Sequence, residues 1–318
     1  MEENPNTPDM VQSPDGSDSV QRWQPAEPKV LVVLLALFAS CIFFAGIATI
    51  LCQLIVQWGG WNEGLLSGLL GADATEPERW QMRFLLGLQH FSVFCVAGFL
   101  TVWLFYRGIT KPVPGWADYL RSRQLPSWPQ AGLGMLLLLV SVPLVLYLFQ
   151  LNKMLPLPAE FHAMEAQANE TIKSLLRMDH FGEFLGNMAL IALLPAIGEE
   201  IVFRGVVQQQ LMRRIANPWW ALIVSAAVFS FFHFQFEGFL PRMLLGFLLG
   251  WLYWQTRNFW IPVIAHFFNN GIQVMGQYAV GDNNSVVDLE QDMQVPWFVA
   301  LLSLFMIVAT MRLMRKLD

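Results

Sequence analysis

Residues 30–58 read VLVVLLALFASCIFFAGIATILCQLIVQW and contain no Asp, Glu, Lys or Arg. About 20 apolar residues are enough for a helix to cross the hydrocarbon core of a bilayer, so this run can span a membrane with some tilt. Across all 318 residues, 55% are apolar, 14% are charged and the mean hydropathy is +0.45. Soluble chains carry roughly 25% charged residues. The composition therefore excludes a soluble globule and indicates a surface that largely faces lipid.

Seven further apolar runs follow the first one along the chain. They cover residues 84–106, 131–150, 183–203, 219–234, 238–255, 259–280 and 296–312. Runs of this kind are typical of transmembrane helices. We therefore predict an all-α fold, a polytopic integral membrane helix bundle with about eight transmembrane helices.

Composition divides the chain into four segments. Residues 1–29 carry six acidic and two basic side chains and almost no aliphatic ones, which predicts a disordered acidic tail. Residues 30–180 hold three predicted spans, with an amphipathic outer helix or loop expected at 155–182. Residues 181–280 form a predicted membrane core with ionisable side chains inside its spans. Residues 281–318 hold an outer loop, the last span and a basic C-terminus.

The distribution of Lys and Arg predicts the orientation, because short cytoplasmic loops hold an excess of both. With both termini inside, the inner segments hold 12 of the 19 bases and the outer segments hold five. We expect a multi-pass integral membrane protein with both termini cytoplasmic, placed in the inner membrane if the source is bacterial. The net charge of -5 and the lack of a basic stripe argue against a nucleic-acid partner. The oligomeric state is not indicated.

Ionisable side chains within the spans mark the expected chemistry, since each is costly there unless it is paired or lines a wet cavity. The first cluster is Glu199-Glu200-Ile201-Val202-Phe203-Arg204. Glu200 and Arg204 stand at i and i+4 and share a helix face, which leaves Glu199 without a cation. Such a carboxylate can act as a general base. The alternative is that both acids pair with bases elsewhere and only join helices.

Two further clusters contain histidine: Phe229-Ser230-Phe231-Phe232-His233 and His266-Phe267-Phe268-Asn269-Asn270. Helix rise around a turn expected near 216–218 predicts that Glu199 and His233 face each other across a helical hairpin. His266 and Asn270 are four residues apart, so both can present N–H donors to one point, as in an oxyanion hole. The other three histidines show no partner pattern and are interpreted as structural or exposed: His90, His162 and His180.

These three motifs, in this order on successive predicted helices, resemble the CAAX protease and bacteriocin-processing family (CPBP, also called Abi). The family comprises intramembrane proteases and includes the type II CAAX prenyl endopeptidases. Gly205 after Arg204 matches as well, and no motif position departs from the pattern. The resemblance covers roughly residues 180–275, whereas the first three spans match only as spans.

The resemblance implies an intramembrane glutamate endopeptidase in which Glu199, helped by His233, activates water. It further implies that His266 and Asn270 stabilise the oxyanion, with Glu200 and Arg204 in support. No cofactor is expected. Zinc held by Glu199, His233 and His266 is the less favoured alternative, because one carboxylate and two imidazoles can ligate it. The expected partner is a membrane-associated protein or a lipidated peptide substrate.

Two other functions remain open on the residues alone. The Glu and His side chains could form the proton relay of a transporter or channel, or the chain could be a non-catalytic immunity or scaffold protein.

Two weaker features of the sequence also lead to predictions. Gly246 and Gly250, four residues apart, are expected to pack helices within the monomer rather than to dimerise it. Arg242 is expected to meet an unidentified carboxylate near the outer face.

Overall fold

The computed structural model describes residues 28–68, 70–71, 74–107, 115–281 and 293–317. Most of the predicted acidic tail and most of the predicted outer loop lie outside these residues. Over the described ranges the chain forms helices and no β-strand. The prediction of an all-α fold is therefore confirmed.

Nine long helices organise the described part of the chain. They are α1 (Val30–Gly59), α2 (Glu76–Tyr106), α3 (Trp128–Lys153), α4 (Ala159–Leu176), α5 (181–214), α6 (Pro218–Phe231), α7 (Phe239–Thr256), α8 (Trp260–Val280) and α9 (Trp297–Met314). Eight of them coincide with the eight apolar runs, and α4 occupies the segment expected to be an outer helix or loop. By length and composition, α1, α2, α3 and α9 can cross a membrane. The protein is therefore membrane-embedded.

Helix α1 shows how the apolar composition is distributed. Its buried residues, among them Val33, Leu37 and Cys52, lie along one stripe. Leu31 and Phe43, on the other faces, are 67% and 63% exposed. Side chains of this size are left open on a long helix when lipid covers them, because exposure to water would cost about 1.5–3 kcal/mol for each. The exposed face of α1 is therefore a lipid-facing surface.

Helix α7 lies at the centre of the second half of the chain and packs against α3, α6 and α8. Its two glycines allow close approach: a Cβ at Gly246 would lie 2.8 Å from Phe229, and one at Gly250 would lie 2.7 Å from the Gln208 side chain. Because Gly250 has no side chain, its backbone can be reached by a neighbour, and Gln208 Nε2 donates to the Gly250 carbonyl at 2.9 Å. The prediction that these glycines pack helices within the monomer is confirmed.

The turn between α5 and α6 lies at the expected position, near residues 216–218. Helix α5 ends at Arg214 and α6 begins at Pro218, with the Asn217 side chain accepting from the Trp219 N–H at 2.9 Å. A proline suits the first turn of a helix because it has no N–H to leave unpaired. Helix α6 ends at Phe231, three residues before the end of the predicted run. His233 therefore lies on the loop that follows α6 and not within the helix.

A buried polar network, which the sequence analysis did not predict, joins α2 to the start of α5. Arg79 and Arg83 both reach the fully buried Glu183 carboxylate, at 2.9 Å and 2.6 Å. Arg83 Nε also donates to Asn187 Oδ1 at 2.8 Å. Bidentate and shared guanidinium contacts of this kind hold two helices in one relative position. The network therefore fixes the first part of α2 against the start of α5.

A proline inside α3 is accommodated by a neighbouring helix. Pro143 has no N–H and so interrupts the backbone hydrogen bonds of α3. The Ser303 hydroxyl of α9 lies between a backbone N–H and a backbone carbonyl of α3. It accepts from the Leu144 N–H at 3.3 Å and donates to the Val140 carbonyl at 2.6 Å. Backbone groups freed within a membrane helix need such a partner because no water is available in the hydrocarbon region. The contact also joins α9 to α3.

Candidate active site

Helix α5 carries both carboxylates of the site at a change in its helical register. Segments Phe181–Asn187, Leu194–Glu200 and Gln209–Arg214 are α-helical, whereas Met188–Leu193 and Ile201–Gln208 are π-helical. Such wide turns are uncommon and are frequent at functional sites. Glu199 and Glu200 end the second α-helical segment, directly before the second π segment. They are respectively 7% and 0% exposed.

Glu200 lies beside two side chains, Arg204 and His266. Its Oε2 lies 3.0 Å from Arg204 Nε, and its Oε1 lies 2.9 Å from Nδ1 of His266 on α8. The Arg204 guanidinium also donates to the Gly246 carbonyl at 3.0 Å and lies 4.8 Å from the centre of the Phe229 ring. The charge of Glu200 is therefore compensated within the core. The contact with His266 adds a partner to the pairing expected from sequence.

Glu199 faces three imidazoles instead of a cation. Its Oε2 lies 3.9 Å from Nε2 of His233 and 3.9 Å from Nε2 of His266, and its Oε1 lies 4.0 Å from Nε2 of His90. All three separations are longer than a direct hydrogen bond. A small molecule between the carboxylate and an imidazole can hydrogen-bond to both groups. The predicted approach of Glu199 and His233 is thus present in the structure.

The proton position on His233 follows from its backbone contact. Nδ1 lies 2.9 Å from the Phe229 carbonyl oxygen, which can only accept a hydrogen bond. Nδ1 therefore carries the proton. In the neutral ring Nε2 is then an acceptor, and it is the nitrogen that faces Glu199. His233 is set up to accept a hydrogen bond beside the Glu199 carboxylate.

The loop after α6 is held from outside by α4 and by Arg242. The Arg242 guanidinium donates to the Gln235 carbonyl and, at 3.0 Å, to Gln235 Oε1, and it lies 3.9 Å from Oε1 of Glu165. The Glu165 carboxylate on α4 accepts from the Glu237 N–H at 3.3 Å. Burial raises the pKa of Glu165, although the nearby guanidinium opposes this. Glu165 is therefore the carboxylate that Arg242 was expected to meet.

His266 and Asn270 both contact α5 but at different heights. His266 reaches Glu199 and Glu200, whereas Asn270 Nδ2 donates to the Ile191 carbonyl at 3.2 Å, within the first π segment. The Asn270 side-chain oxygen accepts from Asn269 Nδ2 at 3.2 Å. One N–H of the Asn270 amide is therefore used by the backbone of α5, which leaves the second for another acceptor.

His90 is a member of the site that the sequence analysis did not assign. It lies on α2, immediately before the π-helical segment Phe91–Val96, and its Nε2 faces Glu199. His90 was interpreted as structural or exposed because no i+4 partner on α2 marks it, whereas the structure places it half-buried beside Glu199. Its position within an apolar run was the available signal. His162 and His180 pair instead with Glu237 and Glu76, at 2.5 Å and 2.7 Å.

Two cavities border the site and share Val93 and Phe94 as a wall. One, of about 350 Å³, is lined by His90, Leu86 and Ile191, among others. The other, of about 490 Å³, is almost entirely apolar and lies among α1, α2, α5 and α6.

Among the described residues, no three His, Cys, Asp or Glu side chains have the spacing to hold one metal ion as they stand.

Comparison with known proteins places the three motifs in one matched segment. Residues 181–272 match the family model described as "Type II CAAX prenyl endopeptidase Rce1-like". The resemblance expected from the motifs is confirmed over this segment, which contains Glu199, His233, His266 and Asn270. His90 lies outside it.

Two curated relatives come from Bacillus subtilis (strain 168). The chain is 30% identical to "Putative membrane peptidase YdiL" over 79 residues, which is 25% of this chain and 32% of that protein. It is 31% identical to "Uncharacterized protein YpbD" over 90 residues, which is 27% of this chain and 43% of that protein. The chain therefore covers less than half of either relative. No solved structure matches it significantly.

Proposed function

We propose, from the Rce1-like segment at 181–272 and the groups around Glu199, that this protein is an intramembrane endopeptidase. One observation carries the proposal: the Glu199 carboxylate is buried and is faced by three imidazoles, while Glu200 beside it is separately paired. A carboxylate that is not committed to a cation can take a proton during a reaction. The proposed reaction is hydrolysis of a peptide bond.

Water bound between Glu199 and His233 would be the nucleophile. Glu199 Oε2 and His233 Nε2 are 3.9 Å apart and both accept hydrogen bonds, so one water can donate a hydrogen to each. Its lone pairs then point away from both and toward the substrate carbonyl. As the water oxygen attacks the carbonyl carbon, one proton passes to Glu199. A positioned general base contributes typically 10²–10⁴-fold to rate.

His266 and Asn270 are proposed to stabilise the oxyanion. Because His266 Nδ1 is bonded to Glu200, its donor toward the reaction would be Nε2, which requires a second proton on the ring. With that proton on His266, the charges of His266, Glu199, Glu200 and Arg204 would sum to zero, which a low-dielectric interior favours. The free N–H of Asn270 would be the second donor. Collapse of the intermediate then breaks the C–N bond, and the amine takes up a proton.

The proposal includes the setting and the substrate class. We propose a multi-pass protein with both termini cytoplasmic, which cleaves a membrane-associated protein or a lipidated peptide, of CAAX type or of the kind processed in bacteriocin maturation. No cofactor is assigned. Zinc ligated by Glu199, His233 and His266 is the alternative, and it would replace the general-base role of Glu199 by direct coordination.

Comparison of membrane peptides from cells that express the wild type, Glu199→Gln or His233→Gln tests the proposal. Glu199→Gln keeps the shape of the side chain and removes its basicity. New peptide termini should appear only with the wild type, and the purified Glu199→Gln variant should cleave the same site about 10²–10⁴-fold more slowly. Glu170→Gln, an exposed change on α4, is the matched control and should cleave as the wild type does.

The outcomes separate the competing functions. Wild-type cleavage by Glu199→Gln would overturn the glutamate mechanism. Stoichiometric zinc together with cleavage that chelator abolishes would replace it by the metal version. Ion flux in liposomes that is lost in Glu199→Gln, without any cleavage, would favour a transporter. If neither cleavage nor flux is detected, a non-catalytic immunity or scaffold protein is the remaining function.

A further inference from the structure

His90 combines burial with a missing hydrogen-bond partner. Its Nε2 is buried and makes no hydrogen bond within the described part of the chain, although Oε1 of Glu199 lies only 4.0 Å away. The ring stacks on Phe94, with centroids 4.5 Å apart. A buried nitrogen without a hydrogen-bond partner destabilises the fold. A native structure that keeps such a group has a reason for it, and a catalytic role is one such reason.

Close contacts between α2 and α5 hold His90 in this position. A Cβ at Gly198, next to Glu199, would lie 2.9 Å from both Phe94 Cβ and Cys95 Sγ. A Cβ at Gly98 would lie 2.9 Å from Val202, and one at Gly87 would lie 3.0 Å from Leu190. Glycines thus allow the two helices to touch on both sides of His90. The distance between His90 and Glu199 is set by backbone packing.

The two oxygens of Glu199 face different groups. Oε2 faces His233 and His266, which the proposed function uses for water and for the oxyanion. Oε1 faces His90, which lines the cavity of about 350 Å³ on α2. Peptide hydrolysis also needs an acid to protonate the departing amine. The proposed function assigns no residue to that step.

We propose that His90 is the residue that protonates the leaving amine, an inference that rests on the proposed function. The proton that Glu199 takes from water passes from Glu199 to Nε2 of His90, directly or through one water. The same proton then passes from Nε2 to the amide nitrogen as the C–N bond breaks. The hydroxyl stays on the acyl carbon, the amine leaves with the proton, and both side chains return to their starting states. The cavity beside His90 receives the amine-side fragment.

Two versions of one peptide test this role. The peptide spans the cleavage site identified in the membrane comparison, and its scissile bond is either the natural amide or an ester with a readily expelled phenolate. The phenolate leaves without protonation, so only the amide depends on the acid. His90→Gln should lower kcat for the amide about 10²-fold and kcat for the ester less than about threefold. KM should stay within about twofold.

Controls separate folding from chemistry. His90→Phe keeps an aromatic ring against Phe94 and should show the same amide-selective loss with a normal unfolding temperature. His180→Gln, which alters a half-exposed histidine paired with Glu76, should behave as the wild type. Equal losses for amide and ester, or no loss for either, would overturn the role of His90. A fully active Glu199→Gln would instead overturn the proposed function, so the two failures are distinguishable.

Discussion

Two neighbouring residues of the same type, Glu199 and Glu200, occupy opposite environments. Successive residues turn by about 100° around a helix, so their carboxylates face different sides of α5. Glu200 lies at ion-pair distance from Arg204 and contacts His266, whereas Glu199 faces imidazoles at 3.9–4.0 Å. One carboxylate therefore orders the core, and its neighbour remains available for chemistry.

Removal of the Arg204 cation should destabilise the fold. Arg204 is 1% exposed, and Arg204→Met would leave Glu200 buried with only His266 beside it. Breaking a buried pair on one side costs about 3–5 kcal/mol. We expect a loss of this size in the free energy of unfolding, measured by denaturation in detergent micelles.

The matched double variant tests the cause of that loss. Glu200→Gln together with Arg204→Met removes both charges and keeps an acceptor for His266. It should recover most of the lost stability, because no uncompensated charge remains. Equal destabilisation of the single and double variants would show that packing against Phe229, and not charge, is what Arg204 supplies.

At the scale of elements, α4 is coupled to the site without touching Glu199. Its Glu165 contacts the Glu237 N–H and lies near Arg242, and Arg242 in turn binds Gln235 in the loop that carries His233. Phe234 in this loop has a φ of 53°, a left-handed conformation that a bulky residue adopts only when its surroundings impose it. Helix α4 thus helps to hold the backbone on which His233 depends.

Loosening this contact should impair cleavage and leave substrate binding nearly intact. In Arg242→Met the loop loses its guanidinium contacts, and His233 is expected to shift relative to Glu199. A misplacement of about 1 Å can cost about 10²-fold in rate, so kcat should fall about ten- to hundredfold with KM within about threefold. Glu165→Ala should have a smaller effect in the same direction. Unchanged kcat in Arg242→Met would show that the loop is held without Arg242.

At the scale of the whole molecule, not every base that was counted for the predicted orientation lies at the surface. Arg79 and Arg83 are two of the five bases assigned to the outer segments, yet they are 2% and 4% exposed and share Glu183. Bases that are buried and paired contribute little to a loop's surface charge. Two of the five bases counted for the outer segments therefore lie away from the surface.

Labelling of one added cysteine at a time tests the predicted orientation, since the three native cysteines are present in every variant. Arg123→Cys lies in the loop between α2 and α3, and Glu170→Cys lies on α4; both native side chains are more than half exposed. A membrane-impermeant maleimide added to right-side-out vesicles should label Glu170→Cys and spare Arg123→Cys. Inverted vesicles should show the reverse, with the wild type as the background control. Labelling of both positions from one side would contradict the orientation.

Local sequence spacing determined much of the fold and part of the site. Apolar runs predicted the positions of eight helices, of which four are long and apolar enough to cross a membrane, because each run needs only its own length and composition. The pairing of Glu200 with Arg204 and the approach of Glu199 to His233 followed from helix periodicity and rise around one short turn. These contacts lie within one helix or one hairpin, where the chain itself sets the distance.

Only the tertiary structure decided the contacts between helices distant along the chain. His90 on α2 faces Glu199 on α5, and His266 on α8 reaches Glu200. Arg242 meets Glu165 only because α4 packs over the loop after α6. Such contacts depend on how each helix is rotated and how closely its glycines let it approach, and neither is encoded in local spacing. The sequence by itself thus determined a membrane helix bundle with an available carboxylate, and packing decided which imidazoles surround it.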